Sequence, residues 1–243
     1  MLSVDIPPAR AGHGRIVARN VRGETVLAVA RASSPLRFVR TTSGVCLVTF
    51  GAGLKDGDAI ELDVEVDEGA TLVLFTQAST KVFRGRSMQA MRAHVRGTLI
   101  ALPDPVAPFQ GAEYTQRVDV DLEGPDARCV LLDGVTSGRP AYGERWAFER
   151  VDLRTIVRRE GRVLLHDGLH LDARDGSIAR RMDRFEALLT LVTFGVEPNA
   201  TDEVDDDVVV ATSPHVVRVA AKTPERALTA VRARLGHLPH HMR

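Results

Sequence analysis

The sequence predicts a mainly β protein: an elongated β-helical-type stack of strands with about two α-helices in its C-terminal third. Three observations predict it. Some segments alternate strictly between apolar and acidic residues, as in Ile60-Glu61-Leu62-Asp63-Val64-Glu65-Val66, so one strand face is dry and the other wet. Others, such as Leu72-Val73-Leu74-Phe75, are apolar throughout and read as interior strands. Gly44, Gly69, Gly97 and Gly124 recur about every 27 residues, each ahead of an apolar run, a period that suits stacked β-units sharing one core.

The elements follow in order. Residues 1–40 carry no usable signal. Val45-Cys46-Leu47-Val48 follows the first repeating glycine, and Asp67-Glu68-Gly69 turns the chain between a half-wet and a dry strand. Leu99-Ile100-Ala101-Leu102 is the next dry strand. Val118-Asp119-Val120-Asp121-Leu122 repeats the half-wet pattern, Glu123-Gly124-Pro125-Asp126 turns, and Cys129-Val130-Leu131-Leu132 is dry again. Arg154 to Arg159 and Arg162 to His166 flank Glu160-Gly161 as a hairpin. Met182, Phe185, Leu188, Leu189 and Val192 then fall at helical spacing, with Gly195 to end the helix. Asn199 to Asp207 is an acidic loop. Val208 to Ala211 and Val216 to Val219 return to β. Thr223-Pro224 opens a second helix, with Leu228, Val231 and Leu235 on its dry face and Gly236 closing it. No linker divides the chain, so residues 1–243 read as a single domain.

Composition narrows the function. Lys plus Arg and Asp plus Glu are both 32, and 44% of residues are hydrophobic but only 5% aromatic. Zero net charge argues against electrostatic binding to nucleic acid or an anionic membrane and favours protein association. Cys46 and Cys129 sit in apolar runs and read as buried free thiols. The N-terminus does not resemble a signal peptide and no run approaches membrane-spanning length, so the default location is the cytoplasm. No phosphate-cradling loop, dinucleotide fingerprint, Cys-x-x-Cys pair or nucleophile elbow occurs.

Three polar segments leave the ends of dry strands: Thr76-Gln77-Ala78-Ser79-Thr80-Lys81, Leu102-Pro103-Asp104-Pro105, and Asp133 to Trp146 with the chain's only Trp. If the strands stack, these segments cluster and gather Lys81, Asp104, Arg139 and Glu144. An Arg139–Glu144 scaffold pair is the structural alternative. His166 and His170 could share a strand face, but Asp167-Gly168 between them suggests a turn, and both read as surface residues, as do the tail residues His237, His240 and His241.

The same three segments, in order, resemble the urease accessory protein D family, called H in some organisms: Thr76, Gln77, Thr80 and Lys81; Leu102 to Val106 with Phe109; and Thr136 to Arg139, including Gly138, followed by Gly143, Glu144 and Trp146. The resemblance runs colinearly from about Gly51 to the last helix. It implies a helical β-stack fold. It also implies a non-enzymatic scaffold bridging apo-urease to an all-helical accessory protein F and a GTPase, accessory protein G, with nickel in transit and no tightly bound cofactor. Glu144, Asp104 and Asp58 are the implied acidic groups along the nickel route. Many relatives carry Trp where this chain has Gly134, and a charged residue where it has Gln110. A second reading, from a different class, is a β-helix carbohydrate-processing enzyme using Asp104 and Glu144 as paired carboxylates; the scarcity of aromatic platforms favours the scaffold.

Overall fold

Two large mixed sheets face each other across the core of a computed structural model that describes residues 11–199 and 206–235. The seven-stranded sheet holds β1 (Ala11–Val21), β2 (Glu24–Ala32), β5 (Ala59–Val66), β8 (Gly85–Val95), β11 (Ala112–Leu122), β15 (Arg150–Arg159) and β16 (Arg162–Asp172), in the order β16-β15-β11-β8-β5-β1-β2. The eight-stranded sheet holds β3 (Leu36–Thr41), β4 (Gly44–Thr49), β6 (Thr71–Thr76), β9 (Thr98–Leu102), β12 (Arg128–Thr136), β17 (Ala187–Phe194), β18 (Val208–Ser213) and β19 (Val216–Ala221), in the order β18-β19-β17-β12-β9-β6-β4-β3. Two short pairs lie beside them: β7 (Lys81–Val82) with β10 (Ala107–Pro108), and β13 (Gly138–Arg139) with β14 (Glu144–Arg145).

The mainly β expectation holds, with two α-helices among the described residues, α1 (Ile178–Met182) and α2 (Pro224–Arg234). The chain steps repeatedly from one sheet to the other, so the half-wet strands β5, β8 and β11 become parallel neighbours in one sheet and β4, β6, β9 and β12 in the other. Of the four repeating glycines, Gly44 opens β4, and Gly69, Gly97 and Gly124 stand ahead of β6, β9 and β12. At Gly97 a Cβ would lie 2.3 Å from the Ala70 carbonyl oxygen and 2.4 Å from that of Asp67, so no side chain fits there. Both sheets turn antiparallel at their edges, through β1–β2 and β15–β16 in one and β3–β4 and β12–β17–β19–β18 in the other. That mixture departs from the uniform solenoid of a β-helical stack.

Pattern and burial agree strand by strand. In β5 the apolar Ile60, Leu62, Val64 and Val66 are buried and the acids between them face out. Cys46 and Cys129 are buried free thiols, and burial pushes the Cys129 thiol up to about 12. Thr223 caps α2 by accepting the Arg226 N–H. Gly236, the expected end of this helix, and the three tail histidines lie outside the described residues.

Two local expectations are corrected. The segment carrying Leu188, Leu189 and Val192 is not a helix but β17, paired on both sides with β12 and β19; Gly195, at φ 71°, follows the end of this strand. A largely apolar run, broken here only by Thr190 and Thr193, has no unique period, and two strands offering backbone partners decide it. Asp167-Gly168 makes no turn either. Strand β16 runs through it in register with Thr155 and Arg154 of β15, and Asp167 is fastened to Arg218 across the sheets. His166 and His170 therefore do share a strand face, and both are exposed.

Candidate functional site

Inward-facing rows of a sandwich are apolar by default, so a polar residue in such a row is informative. On β8 the inward row reads Gln89, Met91, Ala93, Val95; on β11 it reads Tyr114, Gln116, Val118, Val120; on β15 it reads Leu153, Thr155, Val157. On the facing sheet Thr76 follows Leu74 on β6, and Asp133 follows Leu131 on β12. Gln89, Gln116, Thr155, Thr76 and Asp133 thus form a polar band across both sheets. The band separates two apolar clusters, one around Val64, Leu74, Leu99 and Leu131, the other around Ile60, Tyr114, Val135, Trp146 and Leu153.

A cavity opens at this band. Its empty volume is about 970 Å³, part of it open to solvent, and its walls carry all five band residues with Thr80, Asp104 and Arg117 among aliphatic side chains. Asp133 is its most perturbed carboxyl. Burial pushes it up to about 6 against the stabilising Gly134 N–H and Gln116 amide. Both donors meet Oδ1, at 2.7 and 2.8 Å, which leaves Oδ2 for the cavity. Behind Gln116, the fully buried Tyr114 hydroxyl lies 2.8 Å from Gln116 Oε1 and 2.6 Å from Gln89 Oε1. Its single proton can serve only one of them. Gln116 Nε2 is committed to Asp133, so Gln116 Oε1 takes the proton, and Gln89 turns its amide nitrogen to the phenol oxygen. This chain aims the carboxylate from the far sheet.

Thr76 and Asp104 form a second fixed point. The Asp104 backbone N–H donates to Thr76 Oγ1 at 2.8 Å, and that hydroxyl donates to Asp104 Oδ2 at 3.2 Å. Gln77 is exposed, the Thr80 carbonyl accepts the Ala107 N–H, and Lys81 points to water from β7.

Arg139 and Glu144 stand apart from the cavity, on β13 and β14. The guanidinium grips Glu144 through Nε at 2.9 Å and through Nη2 at 2.5 Å, and it stacks 4.1 Å over the Phe109 ring. That pair holds the Glu144 carboxyl below the usual carboxylate range. Gly138, at φ 96°, lets β13 approach the Pro108 carbonyl, and Gly143, at φ 76°, closes the turn between β13 and β14. Trp146 is buried, and its Nε1 donates to the Phe185 carbonyl. Asp58, also buried, accepts the Lys55 N–H at 2.9 Å in the turn before β5.

The structure therefore splits the predicted cluster. Asp104 lines the cavity; Arg139 and Glu144 pair beside it, with Gln110 donating its N–H to Glu144 at 3.4 Å; Lys81 and Asp58 do not line it. Gly134 lines the cavity too, and a Cβ there would meet Leu189 Cδ2 at 2.3 Å. Sequence reading missed Asp133, Gln116, Tyr114 and Gln89 as one unit. The available signal was the polar interruption of each inward row. Among the described residues, no group of three His, Cys, Asp or Glu could hold a metal ion, and no helix is long and apolar enough to cross a membrane.

The profile of the family described as UreD urease accessory protein matches residues 10–240. The chain belongs to that family. It is 41% identical to the urease accessory protein UreD of Sorangium cellulosum, over 94% of this chain and 81% of the relative. It is 36% identical to urease accessory protein UreD of Anaeromyxobacter sp., over 93% and 85%. The plant relative, urease accessory protein D of Arabidopsis thaliana, is 30% identical over 76% and 68%. This UreD-family chain keeps the three polar segments at the cavity and at the β13–β14 pair next to it.

Proposed function

We propose that this chain serves urease maturation in the cytoplasm as a non-enzymatic scaffold and nickel conduit. It links apo-urease to the helical accessory protein F and the GTPase accessory protein G. The observation that carries the reading is the polar band in a UreD-family protein: a cavity between two sheets whose lining holds two carboxylates, Asp104 and Asp133, and one arginine, Arg117, among amides, hydroxyls and aliphatic walls. Oxygen ligands in small number hold Ni(II) loosely, which suits passage over storage. Glu144, held by Arg139, would belong to the route only where it leaves the cavity, and Asp58 only where it reaches the turn before β5. The carbohydrate-enzyme alternative gains nothing here, because Asp104 and Glu144 do not line one cleft.

The test is urease activation with Asp104→Asn, Asp133→Asn and Glu144→Gln variants, reading partner pull-down beside urease nickel content. Nickel-poor urease from normally assembled complexes of the two cavity variants is the expected result. Full nickel content in both would remove the cavity from the route.

A further inference from the structure

The outer face of the eight-stranded sheet is apolar across its whole width but covered over only part of it. Helix α2 packs on β17, β18 and β19, where Leu189, Leu191, Val217 and Val219 meet Ala227 and Val231. The same outward rows continue through Leu102 on β9, Val73 and Phe75 on β6, Val48 on β4 and Val39 on β3. No helix among the described residues lies over them. Val39 is 50% exposed, and Phe50, just beyond β4, is 53% exposed. Strands β3, β4, β6 and β9 contain not one Asp or Glu. Arg37 on β3 and Arg128 at the start of β12 are exposed on this face, and neither has a carboxylate partner among the described residues. Arg37 rests 4.8 Å over the Phe50 ring.

We propose that this half-face docks an amphipathic helix of a partner protein, apolar toward Val39, Val48, Val73 and Phe75 and acidic along its flanks. The inference rests on the scaffold half of the reading above. A helix is the occupant because α2 already fills the adjoining half of the same face in that way, and a contiguous apolar patch on a surface marks an interaction site. Acidic flanks follow from charge complementarity: unpaired guanidinium forks bind carboxylates bidentately. A second copy of this chain is the poorer occupant. A two-fold contact through this face would bring two copies bearing Arg37 and Arg128 together, with no acid on β3, β4, β6 or β9 to answer them.

The test uses the full chain with purified apo-urease, accessory protein F and accessory protein G, each offered alone and together. The variants are Val39→Asp and the double change Arg37→Glu with Arg128→Glu. Arg92→Glu, on the outer face of the other sheet, is the control. Each is first checked for an unchanged unfolding midpoint. The partner that binds wild type is expected to bind Val39→Asp and the double variant at least tenfold more weakly. The wild-type complex should weaken with salt and the double variant lose that dependence, while the control binds normally. Amide protection on binding should fall on a helical partner segment. Wild-type affinity in both variants would overturn the docking face and leave the scaffold reading standing. A self-dimer dissolved by Val39→Asp, or protection of an extended partner segment along β3, would overturn the helix as occupant. A wild-type chain that captures none of the three proteins would end both readings.

Discussion

On the outer face of the seven-stranded sheet, Asp63 meets His13 at 2.9 Å and Arg92 at 4.0 Å, Asp152 is shared by Arg117 and Arg154, and Arg158 reaches Asp119. On the outer face of the eight-stranded sheet the corresponding positions are Val39, Val73, Leu102, Val130 and Leu191. The two sheets share one interior and face outward with opposite chemistry. A charged face is complete in water. An apolar face needs a cover, and α2 provides only part of one. The contrast teaches that wet and dry strands in this chain report the outward surface of their sheet, since the inward rows of both are mostly apolar outside the polar band and the Asp167–Arg218 pair beside it.

The largest effect should come from testing whether the dry outer face is core. Leu191 is fully buried between the sheet and α2, so Leu191→Ala should cost about 2–5 kcal/mol in urea unfolding. A cost below about 1 kcal/mol would erase the distinction between the two faces. The inner polar band gives the next effect. Asp133 has a carboxyl raised from 3.8 to about 6 in the folded chain. Between those values the folded state holds the proton more firmly than the unfolded chain does. Its contribution is therefore most favourable below about pH 4 and declines as pH rises to about 6, by up to about 3 kcal/mol. Asp133→Asn should flatten that part of the stability–pH curve and raise the unfolding midpoint at pH 7. An unchanged curve would show that the carboxyl is better solvated than its place between the sheets implies. The smallest effect belongs to the wet face. Asp63→Ala removes contacts to two half-exposed partners and should cost less than about 1 kcal/mol, fading in high salt. A larger, salt-resistant loss would mean that this lattice holds the sheet together.

Much of the fold was legible because burial acts locally. The alternation in Ile60 to Val66 is what a one-sided strand requires, and Thr223-Pro224 states a helix start in two residues. The segment from Leu188 to Phe194 was not legible as a strand, since a largely apolar run satisfies either period until β12 and β19 bond to it. The site was legible in part. The segments at Thr76, Asp104 and Asp133 were marked by polarity at the ends of dry strands, and Thr76 and Asp104 do join. Glu144 was marked by the same loop as Asp133, yet it lies outside the cavity, since a loop's sequence does not state which side chain turns inward.

By itself the sequence determined which strands are wet or dry, where α2 begins, where glycine turns permit close approach, and to which family the chain belongs. Each of these depends on neighbours along the chain or on residue identities in order. Only the tertiary structure decided that Gln89, Tyr114 and Gln116 on one sheet aim Asp133 on the other, and that α2 leaves half of an apolar face open. Those facts depend on which distant strands become neighbours, and backbone pairing within each sheet together with side-chain packing of one sheet on the other sets that.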